Sequence, residues 1–585
     1  MTGPAKPSAA APLQIRAAAG TMGEAASQPA LQKLNRAVSE LRAFAAQPYL
    51  QSAIAALNAG DHAAGGQWAL KALEQDERNG FGWYLLAFAR EKAGDFVSSI
   101  KAYESALSLL PNHAEVANDL GRLAFRIGMK GQAEKLFRHY LALYPGHEEA
   151  ANNLACAVRD QGRYDEAIDI LKGAITASPE CPTLWNTLGA ALTEKGDLAS
   201  ARLFFEEALR LDPDFGRARY NLGNVLFAEG RLEEALAECE RALAGPVGED
   251  ERQMMRLARS TIIIAQGRTR EGWDEYEARL HPQFSDVTQF LVDRPRWEPG
   301  AELAGKSLLV IGEQGLGDEV LFANTLPDVL EALGPEGRLS IALEPRLVPL
   351  FQRSFLSARV GAHATYTVGG RTVRVAPFVE DPASLDFWTP IASLLRQYRP
   401  SPETFPQRER FLTPDPERVS HWRETLQAAP AGKKVGLLWK SLITAGARGR
   451  HFSPFERWAP ILNTPGVTFV NLQYGDCAAE IALAEQEFGV KIWTPPGIDL
   501  KQDLDDVAAL CCALDLTLGF SNATLNLAGA CGAPTWLITA PGAWATLGQD
   551  RYCWYPQARM FTPKALGAWD EVMARVAADL ASFAA

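Results

Sequence analysis

The stretch "LLVIGEQGLGDEVLFANTLPDVL", residues 308–330, runs from apolar residues through a glycine-bearing turn into a helical pattern. Val310 and Ile311 read as a buried strand, Gly315 and Gly317 loosen the turn, and the chain from Val320 onward has helical spacing. A strand, a small-residue turn and a helix start open a nucleotide-handling βα unit. Gly315 and Gly317 are accordingly candidate contacts to a nucleotide donor.

Downstream the rhythm returns. "RLSIALEP" and "VRVAPFV" supply further strands, and the proline-bearing "LTPDPERVSHWRETLQAAPAGKK" leads to a second apolar strand, "VGLLWKS". "GVTFVNLQYG", "VKIWTP", "DLTLGF" and "APTWLIT" then alternate with helical segments. Two successive α/β units with a helix-bearing connection predict two Rossmann-like lobes facing a cleft, residues 301–430 and 431–585.

Upstream the sequence has another period. Glycines recur at Gly60, Gly94, Gly128, Gly162, Gly196 and Gly230, each 34 apart. Pro111, Pro145, Pro179 and Pro213 keep the same step, as do Ala133, Ala167, Ala201 and Ala235. In such a repeat each helix pair buries Leu and Ala faces on its neighbours. Glycine relieves crowding at the turn, and proline ends the second helix. Residues 29–250 are therefore expected to form an α-solenoid. Residues 251–300 follow as a degenerate helix pair, "IIIAQGRTREGWDEYEARL", and a linker, "RPRWEPGAELAGKS".

Stacked pairs leave a concave groove. Its middle columns hold Asn118, Asp119, Asn152, Asn153, Asn186, Thr187, Asn221 and, one position back, Tyr220. Short amides there either hydrogen-bond the backbone of a bound peptide or simply face solvent. The first 28 residues, rich in Ala, Pro, Gly and Ser, are expected to be a disordered arm with no signal peptide. After them Leu31, Leu34, Val38, Leu41 and Phe44 share one helical face, either to cap the solenoid or to bind a partner.

With 585 residues, 47% hydrophobic and 22% charged, the chain is expected to be soluble and multidomain. A net charge of -12 argues against nucleic acid or a membrane surface as partner. The eight cysteines form no CxxC pair, which points to reduced thiols in the cytoplasm. No run of 18 apolar residues is present, so no transmembrane helix is expected.

The unit "PTLWNTLGAALTEKGDLASARLFFEEALRLDP", residues 182–213, resembles the tetratricopeptide repeat. "GEQGLGDEVLFA" resembles the corresponding turn of bacterial tetratricopeptide glycosyltransferases related to the ADP-heptose transferases. "EGWDEYEAR", "RPRW", "LLWKS", "NLQYGD", "NLAGACGAPTW" and "YCWYP" follow in that family's order over residues 271–556. The whole is similar to the flagellin glycosyltransferases, which join a flagellin-binding repeat domain to a transferase of GT-B fold. Those enzymes are implicated in attaching nonulosonic acids, pseudaminic or legionaminic, to flagellin Ser/Thr. The resemblance implies a metal-independent protein O-glycosyltransferase with a nucleotide-sugar donor, CMP-linked, as substrate and no cofactor. Its repeats would hold the acceptor protein through Asn118, Asp119, Asn152, Asn153, Asn186 and Asn221, as a similar asparagine ladder does in O-linked N-acetylglucosamine transferase.

The same resemblance assigns site residues. Asp318 matches the residue taken as catalytic base in heptosyltransferase-like enzymes, where a carboxylate in reach of a hydroxyl helps it attack. Glu319 and Glu313 flank it as substitutes. The plainer reading is that Asp318 caps the helix starting there. Lys440 and Ser441 end a strand of the second lobe, where a cation suits a phosphate, unless Lys440 is an ordinary surface lysine. Arg448 and Arg450, in "ARGRH", would bind phosphate or a sugar carboxylate, or else belong to a solvated loop. Gln473 and Tyr474 close another strand toward the base or ribose.

Ser521, Asn522, Ala523 and Thr524 form a turn into a helix N-terminus suited to phosphate. Heptosyltransferase relatives carry Asp where Ser521 stands and His where Asn526 stands, which puts a heptose donor in doubt. No DxD-like pair stands in a cleft motif and the histidines lack ligand spacing, so no metal is expected. Lys440, the helix N-terminus and Arg450 would then meet the leaving-group charge. Two alternatives compete with this enzyme. One is a non-catalytic scaffold or chaperone for flagellin; the other is an O-GlcNAc- or heptose-type transferase with a different acceptor.

Overall fold

The computed structural model describes residues 24–368, 370–441 and 446–585, the side chains of 24–30 and 446–448 excepted. The arm expected over residues 1–28 thus lies outside the description up to residue 23, and from Glu24 the chain is helical. Two compact units emerge, one ending at Gln161 and the other running from Gly162 to Ala585. This division falls inside the region expected as one solenoid over 29–250, because the later repeats belong with the α/β part.

The first unit consists of α1 (Glu24–Asn58), α2 (His62–Gln75), α3 (Gly80–Lys92), α4 (Phe96–Leu109), α5 (Ala114–Arg126), α6 (Lys130–Leu143) and α7 (Glu148–Arg159). α1 packs through Ala46, Leu50 and Ala53. Its earlier apolar stripe, Leu31, Leu34, Val38, Leu41 and Phe44, stays exposed, so those residues do not cap the repeats.

The second unit opens with α8 (Tyr164–Ala177), α9 (Pro182–Lys195), α10 (Leu198–Leu211), α11 (Gly216–Ala228), α12 (Leu232–Ala244), α13 (Glu249–Ala265) and α14 (Thr269–Tyr276).

The repeat signature has a local cause in both units. The 34-residue glycines follow the first helix of each pair with φ between 79° and 98°, a left-handed conformation that side chains resist. An added Cβ at any of them would meet nothing within 4 Å, so the expected crowding at these turns is absent. Crowding lies inside the helix pairs instead. A Cβ on Gly121 would come within 2.8 Å of the Phe137 ring, and one on Gly189 within 2.7 Å of Phe205. Gly189→Leu is accordingly expected to lower stability by about 1–3 kcal/mol, read as a fall in melting temperature. The prolines stand two residues past α4, α6, α8 and α10, where the residue before each has already left helical geometry.

The α/β part carries β1 (Thr288–Phe290), β2 (Ser307–Ile311), α15 (Leu316–Phe322), α16 (Leu326–Leu333), β3 (Arg338–Leu343), α17 (Val348–Ser354), β4 (Arg359–Ala362), β5 (Ala364–Val368), β6 (Arg371–Val375), β7 (Phe387–Pro390) and α18 (Leu395–Tyr398). After these come α19 (Pro416–Thr425), β8 (Lys433–Leu438), α20 (Ala459–Leu462), β9 (Val467–Asn471), α21 (Ala478–Phe488), α22 (Leu504–Ala513), β10 (Leu516–Phe520), α23 (Ala523–Ala530), β11 (Thr535–Ile538), β12 (Ala558–Phe561) and α24 (Trp569–Ala584).

Two sheets are wholly parallel, in the orders β4-β3-β2-β7 and β12-β11-β10-β8-β9. "VRVAPFV" does not join them. It forms β6 of a small mixed sheet, β1-β6-β5, while β7 completes the first parallel sheet. "VKIWTP" contributes only an isolated bridge, Val470 to Trp493. The expected linker is held firmly: Trp297 is buried against Tyr398, and its backbone N–H donates to the Trp388 carbonyl.

One core runs through both parallel sheets. It takes in Trp273 and Trp297, Leu308 and Val310 of β2, Leu438 of β8, and Leu525, Trp554 and Tyr555. The two lobes thus touch across the expected cleft. Arg346 Nη1 donates to the Lys501 carbonyl at 2.7 Å, and Arg353 pairs with Asp505.

Asp328 of α16 locks the first lobe. Burial alone would raise its carboxyl, but bonds from Arg408 and Arg399 outweigh it and hold the group below its ordinary 3.8. A depressed folded value contributes stability above the ordinary carboxyl range and loses it as pH falls through that value. Asp328→Asn should therefore melt lower than the parent at neutral pH. The gap should close in acid below 3.8, as paired thermal melts would record.

Candidate functional site

Ligands of parallel sheets bind beyond strand carboxyl ends, where the strand order reverses. In the first sheet that point lies between β2 and β7. It is occupied by the protein itself. Glu313 is buried and takes two bonds from Arg279, at 2.8 and 2.7 Å, and a third from the Ala392 N–H at 3.0 Å. Arg279 also donates to Glu277 at 2.9 Å and Ser393 at 3.1 Å. Burial alone would lower the Arg279 guanidinium; Glu313 and Glu277 outweigh this and raise it well above its ordinary value. The motifs "EGWDEYEAR" and "GEQGLGD" thus meet in one buried ion pair, and Glu313 is no spare base.

Beyond Glu313 the turn is strained. Gln314 adopts φ 63°, a left-handed conformation costly for a residue with a side chain. Asp318 then reaches back, its Oδ2 accepting the Gly315 N–H at 3.1 Å. The helix thus starts at Leu316 with Gly315 as its N-cap, and Asp318, expected to be the cap, supports it from the third helical position while staying partly buried. Glu319 points elsewhere. It is buried, accepts the Glu344 N–H at 2.8 Å and lies 3.0 Å from His363 Nε2, so its proposed part as substitute base is withdrawn.

In the second sheet the order reverses between β8 and β10. After β8, Lys440 is committed to Glu480 at the start of α21 and is not a bare phosphate ligand. Gln473 is spent as well. Its Oε1 accepts the N–H groups of Trp439 and Lys440, each at 3.0 Å, and its Nε2 donates to the carbonyls of Lys440 and Tyr474. It clamps two strand ends and offers nothing to a base or ribose. Ser441 is half-buried, and the Arg448 side chain lies outside the described residues.

After β10, Ser521 is exposed and Asn522 caps α23 by accepting the Leu525 N–H at 3.0 Å. Asn526 Nδ2 donates to the Gly317 carbonyl at 3.0 Å, and Gly317 lies against Ala523. The two glycine- and alanine-rich turns therefore touch, one from each lobe. A cavity of about 220 Å³ remains beside them, lined by Leu316, Arg346, Tyr474, Lys501, Ala523 and Thr524.

Tyr552 of "YCWYP" was not singled out in the sequence. It is buried in this region, and among the described residues Asn526 Oδ1 and Asn522 Nδ2 have no hydrogen-bond partner. Burial pushes the Tyr552 phenol up, the nearby Asp318 carboxylate adds to this, and Ser521 works the other way.

A larger cavity, about 510 Å³, lies where the repeats of the second unit meet the α/β part. Thr193 of α9 and Asn221, Asn224 and Phe227 of α11 line one side, and Arg450 and the loop Ala540–Trp544 after β11 line the other. A residue expected to serve the acceptor, Asn221, and one expected to serve the donor, Arg450, thereby share one space. Asn224 and Trp544 were missed; Asn224 lies one helical turn beyond Asn221, which was the available signal.

The asparagine column is partly self-paired. In the second unit Asn221 Nδ2 donates to Asn186 Oδ1 at 2.8 Å, which leaves the Asn221 carbonyl and its other N–H set in direction. Thr187 is buried and bonds the Thr183 carbonyl, so it is not a groove residue, and Tyr220 is half-buried. In the first unit Asp119 accepts from the Tyr84 hydroxyl at 2.8 Å, while Asn118, Asn152 and Asn153 are half-buried.

Comparison with known proteins adds the family. The tetratricopeptide repeat model matches residues 84–148, 152–214 and 192–253. Protein FlbA of Caulobacter vibrioides is 52% identical over 567 residues, 97% of this chain and 95% of that protein. The chain belongs to the FlbA family. Among solved structures, MamA from Desulfovibrio magneticus is 19% identical over 29% of this chain and 96% of its own, with a TM-score of 0.28. A tetratricopeptide repeat protein from Parabacteroides merdae is 14% identical over 41% of this chain and 94% of its own, TM-score 0.37.

This FlbA-family chain is thus a tetratricopeptide repeat protein continued by an α/β part with parallel sheets. Among its described residues no helix is long and apolar enough to cross a membrane. Among them, too, no three His, Cys, Asp or Glu side chains are grouped to hold a metal ion.

Proposed function

We propose that the chain is a cytoplasmic protein O-glycosyltransferase of GT-B type. Its repeats hold flagellin, and its α/β part transfers a nonulosonic acid from a CMP-linked donor to flagellin Ser/Thr. The observation that carries this reading is the 510 Å³ cavity: a segment held along α9 and α11 comes directly against the strand-end loop after β11. The paired turns at Gly317 and Ala523 support a phosphate-bearing donor at the junction of the lobes. Leaving-group charge would be met there by the N-terminus of α23 and by Lys501, since Lys440 is already paired with Glu480 and Arg346 with Glu344.

A scaffold for flagellin is the second reading, favoured by the internal partners of Glu313, Glu319, Lys440 and Gln473. Intact mass of flagellin co-expressed with and without this chain, in cells that make the donor, separates the two. A gain of one nonulosonic acid residue is expected. Unmodified flagellin that still binds the chain would establish the scaffold instead.

A further inference from the structure

Two thiols outside the candidate sites lie against each other. Cys512 stands in the last turn of α22, and Cys531 is the residue on which α23 ends. The two helices pack together, and Cys512 Sγ donates to the Cys531 carbonyl at 3.8 Å. The Cys531 thiol in turn hydrogen-bonds the Cys512 sulfur. Access is unequal within the pair: Cys512 is half-buried, whereas Cys531 and the neighbouring Cys511 are buried.

The surroundings are cationic. The N–H groups of Phe411 and Leu412 both donate to the Ala530 carbonyl at 3.0 Å, which pins that stretch to the end of α23. A Cβ on Gly532 would come within 3.3 Å of the Arg410 Cβ, so Arg410 starts beside the Cys531–Gly532 turn. The bond from Cys531, helped by the charges of Arg410 and Arg423, holds the Cys512 thiol below its ordinary range in spite of burial. The same bond, with burial, pushes Cys531 well above its own. One sulfur is thus ready to react as thiolate, and a second, still protonated, lies behind it. An attacking and a resolving cysteine are arranged in this way.

We propose that Cys512 and Cys531 form a hydroperoxide-reactive pair, in which oxidation of Cys512 is captured as a Cys512–Cys531 disulfide. The Cys512 thiolate attacks a peroxide oxygen and the O–O bond breaks. The departing hydroxide takes up a proton and leaves as water, and Cys512 becomes a sulfenic acid. The Cys531 sulfur then attacks the Cys512 sulfur, the S–O bond breaks, and the hydroxyl departs with the Cys531 proton as a second water. Two thiols together give up two electrons, and one hydroperoxide takes them. The step needs neither the donor nor the acceptor of the proposed transfer.

The test treats the reduced full chain with hydrogen peroxide, alkylates the remaining thiols and maps cysteine peptides by non-reducing mass spectrometry. A cross-link between the Cys512 and Cys531 peptides is expected, with the loss of two hydrogens and reversal by dithiothreitol. Cys156 is also half-buried, but burial raises its thiol, so it should still be alkylated at the peroxide level that closes the pair. Cys511→Ser should keep the cross-link, which assigns it to Cys512. Cys531→Ser should stop at a sulfenic acid that dimedone traps on Cys512, and Cys512→Ser should leave Cys531 reduced. A parent chain in which both thiols stay alkylatable in peroxide overturns the proposal, and this result depends on no variant. So does a cross-link that survives Cys512→Ser, one that forms only after unfolding in urea, or oxidation of Cys156 as fast as that of the pair.

Discussion

Arg279→Met is expected to lower the stability of the Gly162–Ala585 unit by about 3–5 kcal/mol, because it strands the carboxylate of Glu313 in the interior. Both partners are buried, with about 2% of each side chain exposed, so no solvent is at hand to take over the lost bonds. The pair joins the segment after α14 to the turn after β2, and Glu313 Oε1 also receives the Ala392 N–H. Removing both charges together, as Arg279→Met with Glu313→Leu, should recover most of the loss. A remainder of about 1–3 kcal/mol is expected for the stranded Ala392 N–H. Urea denaturation of the parent and the two variants, followed by tryptophan fluorescence, measures this. A single variant as stable as the parent would mean that the carboxylate finds water or another partner.

The second large effect concerns transfer. Asp318→Asn keeps side-chain size and the acceptor oxygen that caps Gly315, so stability should change little. If Asp318 acts as the base, transfer to flagellin should fall by roughly 10² to 10⁴. Flagellin binding should persist, since Asp318 lies outside the repeats. Asp318→Ala separates the two roles further: it should cost about 1 kcal/mol of stability through the cap and lose transfer to the same degree as Asn. Transfer by the Asn variant at the parent rate would leave Asp318 as a cap alone.

Much of this architecture was legible beforehand. A period of 34 with glycine, proline and alanine on the same step admits few folds, and the strands β2, β8, β9, β10 and β11 announce themselves as apolar runs bounded by turns. β7 and β12 escaped because four-residue strands such as "FWTP" and "ARMF" carry too little pattern. "VKIWTP" misled in the opposite direction: its apolar residues fit a strand, yet only Trp493 bridges to β9.

The site was harder. Sequence places Glu313, Glu319, Lys440 and Gln473 at strand or turn ends, where ligands are met. It does not reveal that Arg279, His363, Glu480 and the β8 backbone reach them first. Those partners are distant in the chain, and only folding brings them in. Asn221 and Arg450 are the contrary case, two residues read separately that turn out to line one space.

The buried cluster that spans the two parallel sheets bears on how the molecule moves. Two-lobed enzymes that swing open around a hinge need an interface that parts without exposing much apolar surface. Here Leu308, Leu438, Leu525 and Tyr555 belong to one buried cluster, so parting the lobes would expose apolar surface from both. The lobes should therefore melt as one cooperative block, without any rocking of one lobe against the other.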